Sequence, residues 1–239
     1  MEKYTYLLIN FLTIIICFIF SFHHKIKFSR YFGAFFKSAF IVAFVFICWD
    51  IWFTKIGVWW FNNRYVMGWR IFNLPIEEVL FFFCIPFSCV FTYFCLDKFF
   101  NFQWNPSFEK LFVIFSIVVS ASVGIYFSSR IYTSFTFFTT ALSMLSLYFI
   151  FKQSWIGKAS LIYLFLMPGF LMVNGVLTGT GLDSPIVNYN PDDFLGIRIL
   201  TIPIEDAVYG YEMILWNIFL FKKFKIDEQN QSFLVSQRP

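Results

Sequence analysis

Charge is what this chain has least of. Only 13% of its 239 residues are Asp, Glu, Lys or Arg, about half of the roughly 25% usual in soluble domains. That excludes an ordinary soluble globule. A hydrophobic content of 59% and a mean hydropathy of +0.70 exclude intrinsic disorder. Other absences narrow the chemistry. There is no Gly-rich loop to cradle a dinucleotide or phosphate. There is no Asp-rich stretch of the kind that holds magnesium diphosphate in intramembrane prenyl transfer. The five Cys, at 17, 48, 84, 89 and 95, fit no metal-ligand spacing and fall inside apolar runs, where they read as small packing residues. His23 and His24 share a basic loop with no Cys or carboxylate beside them, so a solvated loop is expected and no metal site. The last apolar run has no Lys, which excludes a Schiff-base chromophore there.

Abundance points the same way. Aromatic residues make up 25% of the chain, 39 of them Phe. A membrane crossing takes roughly 20 mostly apolar residues. Seven runs qualify: 4–22, 32–53, 76–96, 111–127, 131–151, 159–177 and 204–221. In hydrocarbon each segment must satisfy its own backbone, so all seven are expected to be helices. The first lacks a small-residue cleavage site and is expected to be retained. Placing the N-terminus outside puts 12 Lys and Arg on the inner side, among them Lys25, Lys27, Arg30, Lys98 and Lys225, and leaves 6 outside. The positive-inside rule then favours N-out, C-in. The net charge of +4 reads as cytoplasmic anchoring against membrane lipid, with no nucleic-acid partner. The expected fold is an all-α polytopic membrane protein of seven helices. Helices 1–3 (residues 1–100) form one unit and helix 4 (101–130) a link. Helices 5–7 (131–225) form a second unit, followed by a frayed polar tail (226–239).

The two units repeat in sequence. Residues 68–78 and 196–206 share the pattern G-x-R-I-x-x-x-P-I-E-[ED] at a constant offset of 128. Asn62 and Asn190 match at the same offset, while Asp50, Thr54 and Gly57 match Asn174, Thr178 and Gly181 at an offset of 124. A four-residue insertion in the second loop accounts for the change. Three crossings invert sidedness and the fourth helix restores it. Both motifs then open a helix from the outer face, in a parallel repeat.

Pro75 and Pro203 suit a helix start, where the missing N–H costs nothing. Glu77, Glu78, Glu205 and Asp206 then fall in the first turn of the third and seventh helices. Acids there commonly offset the helix dipole, for about 0.3–1 kcal/mol each. Four of them in two copies, at the mouths of very apolar helices, favour a functional site over capping. Asp50 faces a neutral counterpart in Asn174. An ion pair with Lys55 or Arg70 and a role at the site are equal expectations for it. Glu212 lies seven residues after Glu205, on nearly the same face and about 10 Å deeper. Arg70 and Arg198 read as interface anchors that also sit close to the acids, and Asn62 and Asn190 as braces of the outer loops. Trp49, Trp52, Trp59, Trp60 and Trp69 read as an aromatic belt. The Ser and Thr of the fifth helix, Thr133 to Ser146, read as small residues for close packing.

Taken together, Trp49-Asp50, Thr54 to Trp59, Phe61-Asn62, Leu74 to Glu78, Asn174 to Gly179, Tyr189-Asn190 and Pro203 to Asp206 resemble the lycopene cyclase domain family. The likeness covers nearly the whole chain, as a fused form of two small subunits. One departure is Asn63-Arg64, where the family often has Asn-Pro. The resemblance implies an enzyme of carotenoid biosynthesis in the bacterial cytoplasmic membrane. It protonates a linear carotenoid end group, closes a six-membered ring and releases a proton, with no redox change and no cofactor. It also implies lycopene or a related linear carotenoid as substrate, with contacts to other enzymes of the pathway as a further expectation. Glu77 and Glu205 are the lead acid and base candidates, with Glu78 and Asp206 completing the site. Three alternatives stay open: a cyclase of another ring type or of C50 carotenoids, a seven-helix receptor, and a repeat-built transporter using the outer carboxylates as a cation site.

Overall fold

Long apolar runs with few breakers leave the backbone one economical solution, and the chain takes it. The computed structural model describes residues 2–102 and 104–236, of which the bulk, 71%, is helical. A 3₁₀ turn leads into α1 (Thr5–Ser21), followed by α2 (Phe32–Ile56), α3 (Ile76–Phe99), α4 (Pro106–Tyr126), α5 (Ile131–Leu145), α6 (Ile156–Leu177) and α7 (Ile204–Ser236). A π turn, Ser146–Ile150, extends α5. Asn105 caps α4 by accepting from the Ser107 N–H, with Pro106 in the first turn. Six of the seven helices, α1 to α6, are long and apolar enough to cross a membrane. The seventh carries Glu205, Asp206 and Glu212 near its start and Lys222 and Lys223 farther on, so composition alone does not mark it as a crossing. Exposed Phe44, Phe115, Leu142 and Leu164 give α2, α4, α5 and α6 outward faces suited to lipid. Of the tail expected after residue 225, residues 226–236 continue α7 to Ser236, through a stretch free of Gly and Pro in which Glu228 pairs with Lys37 at 2.9 Å; residues 237–239 lie outside the described residues.

The loops at one end are more ordered than an all-helical reading anticipates. β1 (Trp59–Phe61) pairs antiparallel with β4 (Val187–Tyr189), Trp59 opposite Tyr189, and so joins the two repeats directly. Each motif also folds back as a small hairpin. β2 (Arg70–Ile71) pairs with β3 (Leu74–Pro75), and β5 (Arg198–Ile199) with β6 (Ile202–Pro203). The two tips place Phe72 and Leu200 at φ 54° and 58°, a left-handed conformation that costs a bulky residue about 1–2 kcal/mol. The prolines therefore end a strand and stand one residue before their helices.

The same hydrogen bonds occur twice. The Tyr6 N–H donates to Tyr65 O and the Tyr132 N–H to Asp193 O. The Ile76 N–H donates to Trp69 O and the Ile204 N–H to Ile197 O. Asn73 donates to Ile51 O, and Thr201 to Gly175 O. Helix packing follows this symmetry in part. α1 lies on α3 as α5 lies on α7. The match fails at the cross-repeat pairs, because α2 packs closely along α7 whereas α6 stands off α3. Trp49, Phe46 and Phe53 fill the tight side, with Trp49 ringed by Phe135 and Tyr209 at 4.8 Å. The loose side is open, and the site lies there.

Candidate active site

A cavity of about 530 Å³ lies between α1, α3, α6 and α7, beneath the paired loops. That is within the roughly 300–1,000 Å³ range of ligand pockets. Its wall is almost wholly apolar and aromatic, with Phe81, Ile85, Trp59, Phe170, Leu166 and Met213 among its residues. Into it project three carboxylates, Asp50, Glu78 and Asp206, all buried. The motif acids thus part company. An α-helix turns about 100° per residue, so neighbours in the first turn face different ways. The second acid of each pair lines the cavity, and the first turns back into the loops.

Glu78 and Asp206 are held alike. The Tyr6 hydroxyl donates to Glu78 Oε2 at 2.5 Å, and the Tyr132 hydroxyl donates to Asp206 Oδ1 at 2.6 Å. Tyr6 and Tyr132 occupy matching places at the starts of α1 and α5. The second repeat adds a further donor, Tyr189, to Asp206 Oδ2 at 2.7 Å. The first repeat has Phe61 at that position, so Glu78 has one phenol where Asp206 has two. Tyr189 lies in the loop strand β4. Burial, reinforced by the Asp206 carboxylate, holds its phenol well above the usual range, which keeps it a proton-bearing donor.

Asp50 enters from α2. It makes no ion pair with Lys55 or Arg70 among the described residues. Glu78 and the Trp59 indole are among its polar neighbours, and neither Asp50 Oδ2 nor Trp59 Nε1 makes a hydrogen bond. Asn174, its counterpart on α6, also lines the cavity and donates to Phe170 O at 3.3 Å. The Tyr209 hydroxyl borders the same space without a hydrogen-bond partner.

Glu77 and Glu205, the lead candidates from sequence, do not line the cavity. Both have no exposed surface. Glu77 Oε1 accepts the Met67 N–H at 2.6 Å, and Glu205 Oε1 accepts the Leu195 N–H at 2.8 Å and the Thr133 hydroxyl at 2.6 Å. Each cinches a loop to the helix that follows it. Arg70 and Arg198 point outward. Arg70 binds Asn73 O and Asn63 Oδ1. Arg198 binds Thr201 O and lies over the Phe194 ring at 4.7 Å. Asn62 donates to Ser184 and Pro185, and Asn190 to Asp193, each also accepting a backbone N–H. Pro75 and Pro203 are buried at the hairpin ends. Glu212 lies outside the cavity, held by Thr139, Thr140 and Ser143 at 2.7–3.2 Å. The α5 hydroxyls therefore serve the acids of α7, not just close packing. The tryptophans divide too: Trp52, Trp60 and Trp69 are exposed as a belt requires, but Trp49 and Trp59 are buried. No three His, Cys, Asp or Glu side chains among the described residues converge as a metal site.

A comparison with known protein families matches residues 3–96 and 129–224 to the lycopene cyclase family. The chain belongs to the lycopene cyclase family. No curated protein and no solved structure matches it. Family membership carries a role in carotenoid cyclisation and a membrane setting. Each matched region of the cyclase contains one Pro-Ile-Glu motif whose second acid faces the cavity and, at the start of its first helix, a phenol that donates to that acid, and the first region adds Asp50.

Tyr6, Tyr132 and Tyr209 went unrecognised in the sequence, and Tyr189 stands out there only as part of the repeat and the resemblance, not as a donor. Tyr6 and Tyr132 stand 126 residues apart, off the motif offset of 128, at which Tyr4 and not Tyr6 aligns with Tyr132, so the repeat spacing alone does not pair them. Glu109 was missed as well. It is buried at the start of α4 and accepts the Gly157 N–H at 2.8 Å, tying α4 to the start of α6. No repeat or motif marks it.

Proposed function

We propose that this cyclase is a lycopene β-cyclase, an intramolecular lyase or isomerase that turns linear ψ ends into β-ionone rings. The reading rests on one observation: carboxylates from both repeats face one cavity whose wall is otherwise mostly apolar and aromatic. A polyene end fits such a wall, and water does not. In the proposed reaction, the Glu78 carboxyl gives its proton to C2 of the terminal double bond, leaving a tertiary cation at C1. The C5–C6 double bond attacks C1, the ring closes and the charge moves to C5. Asp206 takes the C6 proton, and the electrons of that C–H bond form the C5–C6 alkene. No electron is gained or lost, so the step draws on no redox cofactor.

The unequal phenols support this division of labour. With two donors, Asp206 is the better-solvated carboxylate and suits the base role. Glu78, with one donor and Asp50 beside it, suits the acid role. Faces of Trp59, Phe81 and Phe170 can stabilise the cation without trapping it. Asp50 and Asn174 position the end group, while Glu77, Glu205, the arginines and the prolines fix the loops above it. The proposal includes seven crossings, N-out and C-in, in a bacterial cytoplasmic membrane. The 204–221 stretch of α7 reaches about 27 Å, close to a hydrocarbon thickness.

Expression in a lycopene-accumulating bacterium tests the reading. The wild-type chain should turn red cells orange-yellow, with β-rings in the extracted pigment. Glu78→Gln and Asp206→Asn should each lower cyclisation by about 10²–10⁴-fold at equal protein abundance. Unchanged pigment from the wild type overturns the activity, and full cyclisation by both variants overturns the residue assignment.

A further inference from the structure

At the end of the bundle opposite the carboxylates lies a second cavity, of about 360 Å³. It is built from the turn after α1, the C-terminal end of α3 and the late part of α7. Its lining holds four cations, Lys27, Arg30, Lys98 and Lys225, against one acid, Asp97. That acid is already engaged by Lys158 at 2.7 Å. None of the four cations forms a salt bridge among the described residues, Asp97 acting on Lys225 only at longer range.

The cations are positioned rather than scattered. Lys98 donates to Lys25 O at 2.7 Å and to Ile26 O at 3.0 Å. Lys225 lies 4.9 Å from both the Tyr31 and Phe94 ring centroids. Lys27 sits at φ 58° where the chain turns. Ile26 and Phe94 supply an apolar wall beside the charges. Four like charges around one cavity repel one another unless an anion joins them. A basic pocket between helix ends, at the level where an apolar bundle meets water, has the chemistry that recognises lipid phosphate.

We propose that this cavity binds a phosphate-bearing anion, its phosphate among Arg30, Lys27, Lys98 and Lys225 and its apolar part against Ile26 and Phe94. Two sources share that chemistry, an anionic glycerophospholipid and free phosphate, and the apolar wall favours the lipid. The site makes no use of the carboxylate cavity, so its fate is separate from that of the proposed reaction.

The test uses the full-length protein in nanodiscs of phosphatidylcholine, with and without phosphatidylglycerol. Melting temperature and lipid retained in native mass spectrometry are read together. Phosphatidylglycerol should raise the melting temperature and stay bound. Arg30→Gln with Lys225→Gln should weaken its binding by about 30-fold. Lys110→Gln with Lys152→Gln, on the same end but outside the cavity, should leave it unchanged. Helical circular dichroism and a monodisperse size-exclusion peak show that each variant is folded. Inorganic phosphate in pure phosphatidylcholine forms the second arm. No effect there supports the lipid as ligand, whereas full stabilisation with displacement of phosphatidylglycerol assigns the site to free phosphate. Equal lipid binding by the wild type and the cavity variant, or equal loss in the control variant, overturns the proposal.

Discussion

Neighbouring acids in one helical turn do different work here, and substitution can separate them. Glu205 is fully buried and satisfies the Leu195 N–H and the Thr133 hydroxyl. Glu205→Gln keeps the shape but disturbs that network, leaving a buried donor poorly met at a cost of about 1–3 kcal/mol. The expected result is a lower melting temperature in detergent with turnover per folded molecule largely kept. A stable but inactive variant would return Glu205 to the chemistry. Asp50 calls for the opposite pattern. Asp50→Asn copies the residue that the second repeat already carries at 174. It should leave abundance and melting unchanged while lowering turnover about tenfold or more, read as cyclised pigment per unit of protein. The sequence made the acids visible because their repeat is exact in spacing. It did not reveal which acid of each pair points inward, since both orientations satisfy a first-turn pattern. Only the depth of the loop folded back over α3 and α7 decides that.

At the scale of elements, the decisive feature is the unequal packing of α2 and α6. The helix runs, the fourth linking segment and the loop motifs are legible from hydropathy and repeat spacing, because each is a local property. That α2 seals against α7 while α6 stands away from α3 depends on side-chain fit between helices far apart in the chain, which no local pattern records. α6 carries Pro168 and Gly169 at mid-helix, and Gly169 lines the cavity next to exposed Met172. Leu12 of α1, also exposed, stands at the same opening. This gap between α1 and α6 faces outward from the bundle, so an apolar substrate can enter from the bilayer side. A Cβ added at Gly169 meets no atom within 4 Å, so the backbone tolerates a side chain there. Gly169→Ala should therefore keep full activity. Gly169→Trp should narrow the mouth, raising the lycopene concentration needed for half-maximal rate in proteoliposomes with little change in melting temperature. Equal kinetics for the Trp and Ala variants would place the entrance elsewhere.

For the whole molecule, duplication has produced one site rather than two. Both repeats deliver an acid and a phenol, but to the same cavity, and the position where symmetry would put a second cavity is filled by Trp49, Phe46, Phe53 and Phe135. The first repeat keeps a third carboxylate and the second an extra phenol. In the proposed reaction the halves supply the two ends of one acid–base pair. A single cavity of about 530 Å³ receives one end group at a time. A substrate with two linear ends must then leave, turn and re-enter before its second ring closes, because the first ring already occupies the space between Glu78 and Asp206. Under limiting enzyme in proteoliposomes, the monocyclic product should therefore build up before the bicyclic one. Adding unlabelled monocyclic carotenoid midway through a reaction on labelled lycopene should dilute the label in the bicyclic product, since the intermediate mixes with the membrane pool. Undiluted label, with no monocyclic phase, would mean that both ends cyclise without release, and would require a second cavity where the structure has a packed aromatic core.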